Sequence, residues 1–135
     1  MKPRRPPFRF RLDLESGVPA YRQIIDQVRV GLASGALAAG DQLPTVRQLA
    51  VDLSINPNTV VRAYRELELG GLLETHQGTG TFIAAQRIRG GDEERRRQLV
   101  QLAGDSAARA GALGFSVEDL IEQLRGLAVE PNRRR

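Results

Sequence analysis

Two helix starts, eleven residues apart, constrain what this chain can fold into more than any other feature. Thr45-Val46-Arg47-Gln48 follows Pro44 and matches the S/T-x-x-E/Q capping box. In that pattern the hydroxyl and the glutamine side chain satisfy two amides that a helix start leaves unpaired. Val46, Leu49, Ala50 and Leu53 then recur at helical spacing as one apolar stripe. Asn56-Pro57 opens a second helix, because asparagine is a favoured N-cap and proline in the first helical position gives up no hydrogen bond. That helix runs to Gly70-Gly71, with Val60, Ala63, Tyr64 and Leu67 as its core stripe. Two short helices joined by about four residues predict a helix-turn-helix.

The flanking sequence completes the domain. A helix follows Pro19, with Tyr21, Ile24, Ile25, Val28 and Leu32 on one face, and Ser34-Gly35 ends it before a turn at Gly40-Asp41. After the second helix, residues 72–77 and 81–84 are short strand-like runs around Gly78-Thr79-Gly80, which predicts a β-hairpin. The expected fold class is therefore mainly α with a small β-hairpin: a winged helix-turn-helix domain over residues 12–89, followed by a short two-helix region over residues 90–135. Residues 1–11, with three prolines among arginines, read as a basic flexible arm. Phe10, Leu12 and Leu14 alternate with Arg11 and Asp13, a weak signal for a short strand or a docked segment.

Beyond Gly90-Gly91, Leu99, Leu102, Ala103, Ser106 and Ala110 line one side of a helix that Gly104 is expected to interrupt. Ser116 caps a last helix, with Phe115 and Leu120 at the hydrophobic-staple positions and Val117, Leu120, Ile121, Leu124, Leu127 and Ala128 as its apolar face. So small a unit rarely sustains a core of its own. Its apolar faces are expected to meet a second copy, making the chain a homodimer with Leu99, Leu102, Val117, Leu120, Ile121 and Leu124 at the interface.

Composition excludes several function classes. The chain has no cysteine and one histidine, His76, so a disulfide framework, a thiolate metal site and a cysteine nucleophile are ruled out. Glu118, Asp119 and Glu122 gather early in the last helix, where acids suit the helix dipole. Gly78-Thr79-Gly80 lacks the following lysine and helix of a nucleotide-binding loop. No catalytic residue, metal or cofactor is expected, and the chain is not read as an enzyme. No apolar run follows the basic N-terminus and none is long enough to span a membrane, so a cytoplasmic location without membrane association is expected.

The net charge of +4 and a sequence pI near 10.6 suggest nucleic acid only until the charges are located. Eight of the 20 basic residues lie in residues 1–11 and 133–135, and the stretch between carries 12 basic against 16 acidic residues. DNA binding must rest on a local constellation. The outer face of the second helix-turn-helix helix supplies one: Asn58, Arg62 and Arg65, flanked by Thr59, Val61 and Glu66. Arginine reads guanine and asparagine reads adenine bidentately in the major groove, and a helix N-terminus favours phosphate. Arg47, opposite its own helix's core stripe, is placed to meet a phosphate or base edge. Thr45 and Asn56 at the helix starts, and His76, Gln77, Gly78, Thr79 and Gly80 at the wing tip, complete the expected contacts to a double-stranded DNA operator. A winged-helix module that docks on protein is the competing reading.

Several of these segments, in order and at this spacing, resemble the GntR family of bacterial transcription regulators: Leu43 to Ala50, Ile55 to Tyr64, Leu67 to Leu73 and Gly78 to Ile83. The short two-helix end and Asn56-Pro57-Asn58-Thr59 are similar to the YtrA-like branch. The resemblance implies that Arg47, Arg62 and the wing glycines contact operator DNA. It also implies that the C-terminal region dimerises and is too small for an effector domain, leaving any small-molecule effector unassigned. Regulators of this branch often repress neighbouring transporter operons. The chain departs from the commoner pattern in having Asn56-Pro57-Asn58 for a serine-arginine-threonine run, Val61 for an arginine, and His76 for a wing arginine. Base preference therefore does not carry over from other members.

Overall fold

A computed structural model of the chain describes residues 8–85 and 90–128. They form two compact units that divide after Ala85. The first contains α1 (Ala20–Ser34), β1 (Gln42–Leu43), α2 (Val46–Leu53), α3 (Pro57–Leu69), β2 (Leu73–His76) and β3 (Gly80–Ile83). The second contains α4 (Asp92–Ala112) and α5 (Val117–Leu127). The winged helix-turn-helix fold is present as expected.

Local chemistry sets the turn between α2 and α3. Thr45 Oγ1 accepts from the Gln48 amide at 3.0 Å, and Gln48 Oε1 accepts from the Thr45 amide at 3.0 Å. The capping box is complete. At the other end Ser54 adopts the left-handed region with φ 57°. The Ile55 amide then reaches the Ala50 carbonyl at 3.0 Å and the Ser54 amide reaches Val51 at 3.2 Å. This is the Schellman pattern, made without its usual glycine. Two residues later Asn56 Oδ1 accepts from the Asn58 amide at 2.8 Å and starts α3 on Pro57. Thr45→Ala should cost about 1 kcal/mol in urea unfolding, as removal of an N-cap does, with Thr45→Ser close to wild type. An unchanged midpoint for Thr45→Ala would show that tertiary packing alone fixes this helix start.

The core of the first unit joins Ile24, Ile25 and Val28 of α1 to Leu49 and Ala50 of α2 and to Val60, Ala63, Tyr64 and Leu67 of α3, with Leu43, Leu73 and Ile83 from the strands. Tyr64 is buried among them and its hydroxyl donates to the Pro44 carbonyl at 2.8 Å. That bond ties α3 to the residue before the α2 cap. Burial pushes the Tyr64 phenol well above its ordinary pKa, so it stays a donor.

Three expectations are corrected and one open alternative is resolved. The sheet has three strands in the order β1-β3-β2, because Gln42 and Leu43 pair with Phe82 and Thr81. The first hairpin strand is shorter than its strand-like run, spanning residues 73–76, and the second begins one residue earlier than expected, spanning residues 80–83. Of the alternatives for the segment around Phe10 the docked one holds: no strand forms, Phe10 is buried and Leu14 is 84% exposed. Gln23 and Gln27, one turn apart on α1, do the docking. Each amide makes two-point contact with backbone, Gln27 with Arg11 and Gln23 with Asp13, at 2.6–3.0 Å. Gly31 leaves room on α1 for this segment, since a Cβ there would stand 2.8 Å from Phe8 Cε1. Finally, α4 runs unbroken through Gly104. One glycine costs a helix about 1 kcal/mol, too little to stop a 21-residue element.

In the second unit Ser116 and Asp119 form another capping box, with Ser116 Oγ accepting from the Asp119 amide at 3.0 Å. Asp119 is thereby accounted for as a cap. Gly114, at φ 91°, follows α4 and lets the Phe115 amide reach the Ala110 carbonyl at 2.9 Å. Among the described residues of this unit only Ala110 is buried. The arm expected over residues 1–11 lies outside the described residues up to Pro7, and so does the basic tail, Arg133 to Arg135.

Candidate nucleic-acid interface

The buried stripe of α3 fixes which residues face outward. With Val60, Ala63, Tyr64 and Leu67 inside, Asn58, Arg62 and Arg65 are exposed and Thr59 is half-buried. Acids on α3 begin only at Glu66, so its first nine residues combine a positive dipole end free of acids with two guanidiniums. Among the described residues the guanidiniums of Arg47, Arg62 and Arg65 form no ion pair. Their charge is open to an external anion. Arg47 is exposed on α2 beside Pro44, Gln48, Val51 and Asp52.

Thr45 and Asn56 have a first duty within the fold. Their side-chain oxygens accept the capping hydrogen bonds, and only the threonine O–H and the asparagine amide remain to donate outward. Leu72 and Gly71 close the C-terminus of α3 by donating to Leu67 and Glu68 carbonyls, which turns the chain directly into β2.

At the wing tip the Thr79 amide donates to the His76 carbonyl at 2.9 Å, and Gly78 takes φ 79° at the turn. Gln77, Gly78 and Thr79 are exposed. Gly80 adopts φ 136°, and Gln42 Nε2, which donates to the Thr79 carbonyl at 3.2 Å, would lie 2.6 Å from a Cβ there. A side chain at position 80 would break the brace between β1 and the tip. His76 is held by the wing itself. Its Nε2 lies 2.9 Å from Glu74 Oε1, and its ring meets Phe82 edge-on at 5.3 Å. The other Glu74 oxygen accepts from the Ala85 amide at 3.0 Å, and this bond, with the His76 contact, holds the Glu74 carboxyl below its ordinary pKa. His76 therefore presents an imidazole already oriented by a carboxylate.

Tyr21 and Arg22 are the residues of this face that sequence reasoning misses. Periodicity places Tyr21 in the α1 core stripe; it is half-buried, and the Arg62 guanidinium lies over its ring at 3.7 Å. The available signal is the position of an aromatic in the first turn, at the edge of that stripe. Of the six residues expected at a dimer interface, Leu99, Leu102, Val117, Ile121 and Leu124 are exposed and Leu120 is half-buried. No group of acids or histidine suited to a metal occurs among the described residues. No helix among them is long and apolar enough to cross a membrane.

Comparison with known proteins is consistent with this geometry. The family model described as bacterial regulatory proteins, gntR family, matches residues 20–83. The HTH-type transcriptional repressor YtrA of Bacillus subtilis (strain 168) is 37% identical over 123 residues, 88% of this chain and 92% of YtrA. The uncharacterised HTH-type transcriptional regulator YhcF of the same organism is 35% identical over 111 residues, 82% of this chain and 91% of YhcF. Among solved structures, YtrA from Sulfolobus acidocaldarius, described as a GntR-family transcription factor, superposes with a TM-score of 0.60 at 32% identity, covering 87% of this chain and 94% of that one.

Proposed function

The chain belongs to the GntR family of bacterial regulatory proteins, and from that premise we propose that it is a sequence-specific transcriptional regulator, a repressor, that binds a pseudo-palindromic operator as a homodimer in the cytoplasm. One observation carries the reading most: α3 starts on a capped, acid-free N-terminus and exposes Asn58, Arg62 and Arg65 with no ion pair among the described residues. These are the groups that read base edges. Thr59 and Arg47 flank that reading with phosphate contacts, and Gln77, Gly78 and Thr79 approach the backbone through the wing. The exposed apolar residues of α4 and α5 supply the second copy, which sets two α3 helices about one helical turn of DNA apart. Occupying the operator blocks initiation, and the resemblance to the YtrA-like branch makes a transporter operon the target class.

Selection of bound duplexes from a random-sequence pool tests the reading directly. It should return a two-fold symmetric consensus. Affinity for that consensus, measured by fluorescence anisotropy, should fall by roughly 10³-fold between about 50 and 200 mM salt if the dimer neutralises about six phosphates. A pool without consensus, or an affinity insensitive to salt, would instead favour a module that docks on protein.

A further inference from the structure

Arg62 does not lie as a surface arginine usually does. Glu66 stands four residues on along α3, the spacing of an ordinary helical ion pair, yet the described residues leave that pair unmade. The guanidinium carbon lies 3.7 Å from the centroid of the Tyr21 ring on α1 instead. At that separation the cation sits over the π face. Arg22 brings a second guanidinium to the same ring at 5.5 Å. Positive charge thus collects where α1 begins, and no acid among the described residues pairs with either arginine.

The stack has a chemical consequence. A guanidinium on an aromatic ring is held through its face, whereas all its N–H donors point outward in its own plane. Bidentate contact with guanine O6 and N7 needs that free edge. The ring also restricts a long, rotamer-rich side chain before any partner arrives, so less freedom is given up on binding.

We propose that Tyr21 is a positioning residue of the DNA-reading face, holding Arg62 over its ring so that the N–H donors of the guanidinium are presented to a base. The inference rests on the operator-binding reading above and extends it to α1. Two probes test it on the full chain: the duplex selected by wild-type protein and a random-sequence duplex of equal length. Tyr21→Leu should weaken binding to the selected duplex roughly three- to tenfold, the range of a partly desolvated cation–π contact. Binding to the random duplex should stay at the wild-type level. Tyr21→Phe should retain discrimination, and Tyr21→Trp, which enlarges the π face, should retain or raise it. In an Arg62→Ala background, Tyr21→Leu should cost nothing further. Equal weakening on both duplexes, the same weakening in the Arg62→Ala background, or discrimination by Tyr21→Trp as poor as by Tyr21→Leu would each overturn the proposal and assign Tyr21 to packing alone. Should wild-type protein select no sequence, the operator reading itself fails; should it select one while Tyr21→Leu discriminates equally well, only the role of Tyr21 fails.

Discussion

Protein carrying Ile121→Glu and Leu124→Glu together is expected to sediment as a monomer and to bind the selected duplex at least about a hundredfold more weakly than wild type. No residue of α5 is buried, although Val117, Ile121, Leu124 and Leu127 share one face. Capping box, acidic first turn and Arg125 in the last turn all favour this helix, so its apolar face is not an accident of a fraying end. Burying one Ile or Leu side chain contributes about 1.5–3 kcal/mol, and a two-fold interface counts each twice. Glutamate is a good helix former, so the variant keeps α5 while placing four unpaired carboxylates at the symmetric contact. The DNA consequence follows from linkage: once one half-site is held, the second binds at the effective concentration of a tethered partner, a gain of about 10²–10⁴. Binding to a single half-site should be unchanged. A variant that remains dimeric, or a monomer with wild-type affinity for the full site, would remove α5 from the interface.

What is legible in the sequence, and what is not, divides by range. The starts of α2, α3 and α5 are readable because Thr45 with Gln48, Asn56 with Pro57, and Ser116 act within three residues of themselves. The α3 core stripe is readable because four apolar side chains keep a 3.6-residue period. β1 is not: two residues carry no periodicity, and what makes Gln42 and Leu43 a strand is Phe82 and Thr81, some forty positions away. The docking of Phe10 is equally hidden, since Gln23 and Gln27 look like solvated polar residues until Asp13 and Arg11 lie beside them. Gly104 misleads for the opposite reason. It is a local breaking signal that the twenty other residues of α4 outweigh. In the candidate interface, the outward placement of Arg47, Arg62 and Arg65 can be read from helical geometry. The Tyr21 stack and the carboxylate behind His76 cannot, because both depend on how the tertiary fold brings side chains together.

Arg62→Ala should lower affinity for the selected duplex by roughly 10- to 100-fold, about 1–3 kcal/mol, and relax discrimination at one base position in each half-site. Its fold should be intact. Arg62 is exposed, and removing it uncovers only part of the Tyr21 ring, so a change in thermal midpoint beyond a few degrees is not expected. Arg47→Ala provides the contrast. Arg47 is exposed on α2 opposite the core stripe, and under the proposed reading it contacts phosphate, so its removal should weaken selected and random duplexes alike. The salt slope should become shallower by about one for each phosphate no longer neutralised. The two variants therefore separate a base reader from a phosphate anchor by pattern rather than by size. Anisotropy titrations of both proteins against both duplexes decide between them. If Arg62→Ala weakened selected and random DNA equally, Arg62 would be a backbone contact, and base reading would pass to Asn58 and Arg65, the remaining exposed donors on the outer face of α3.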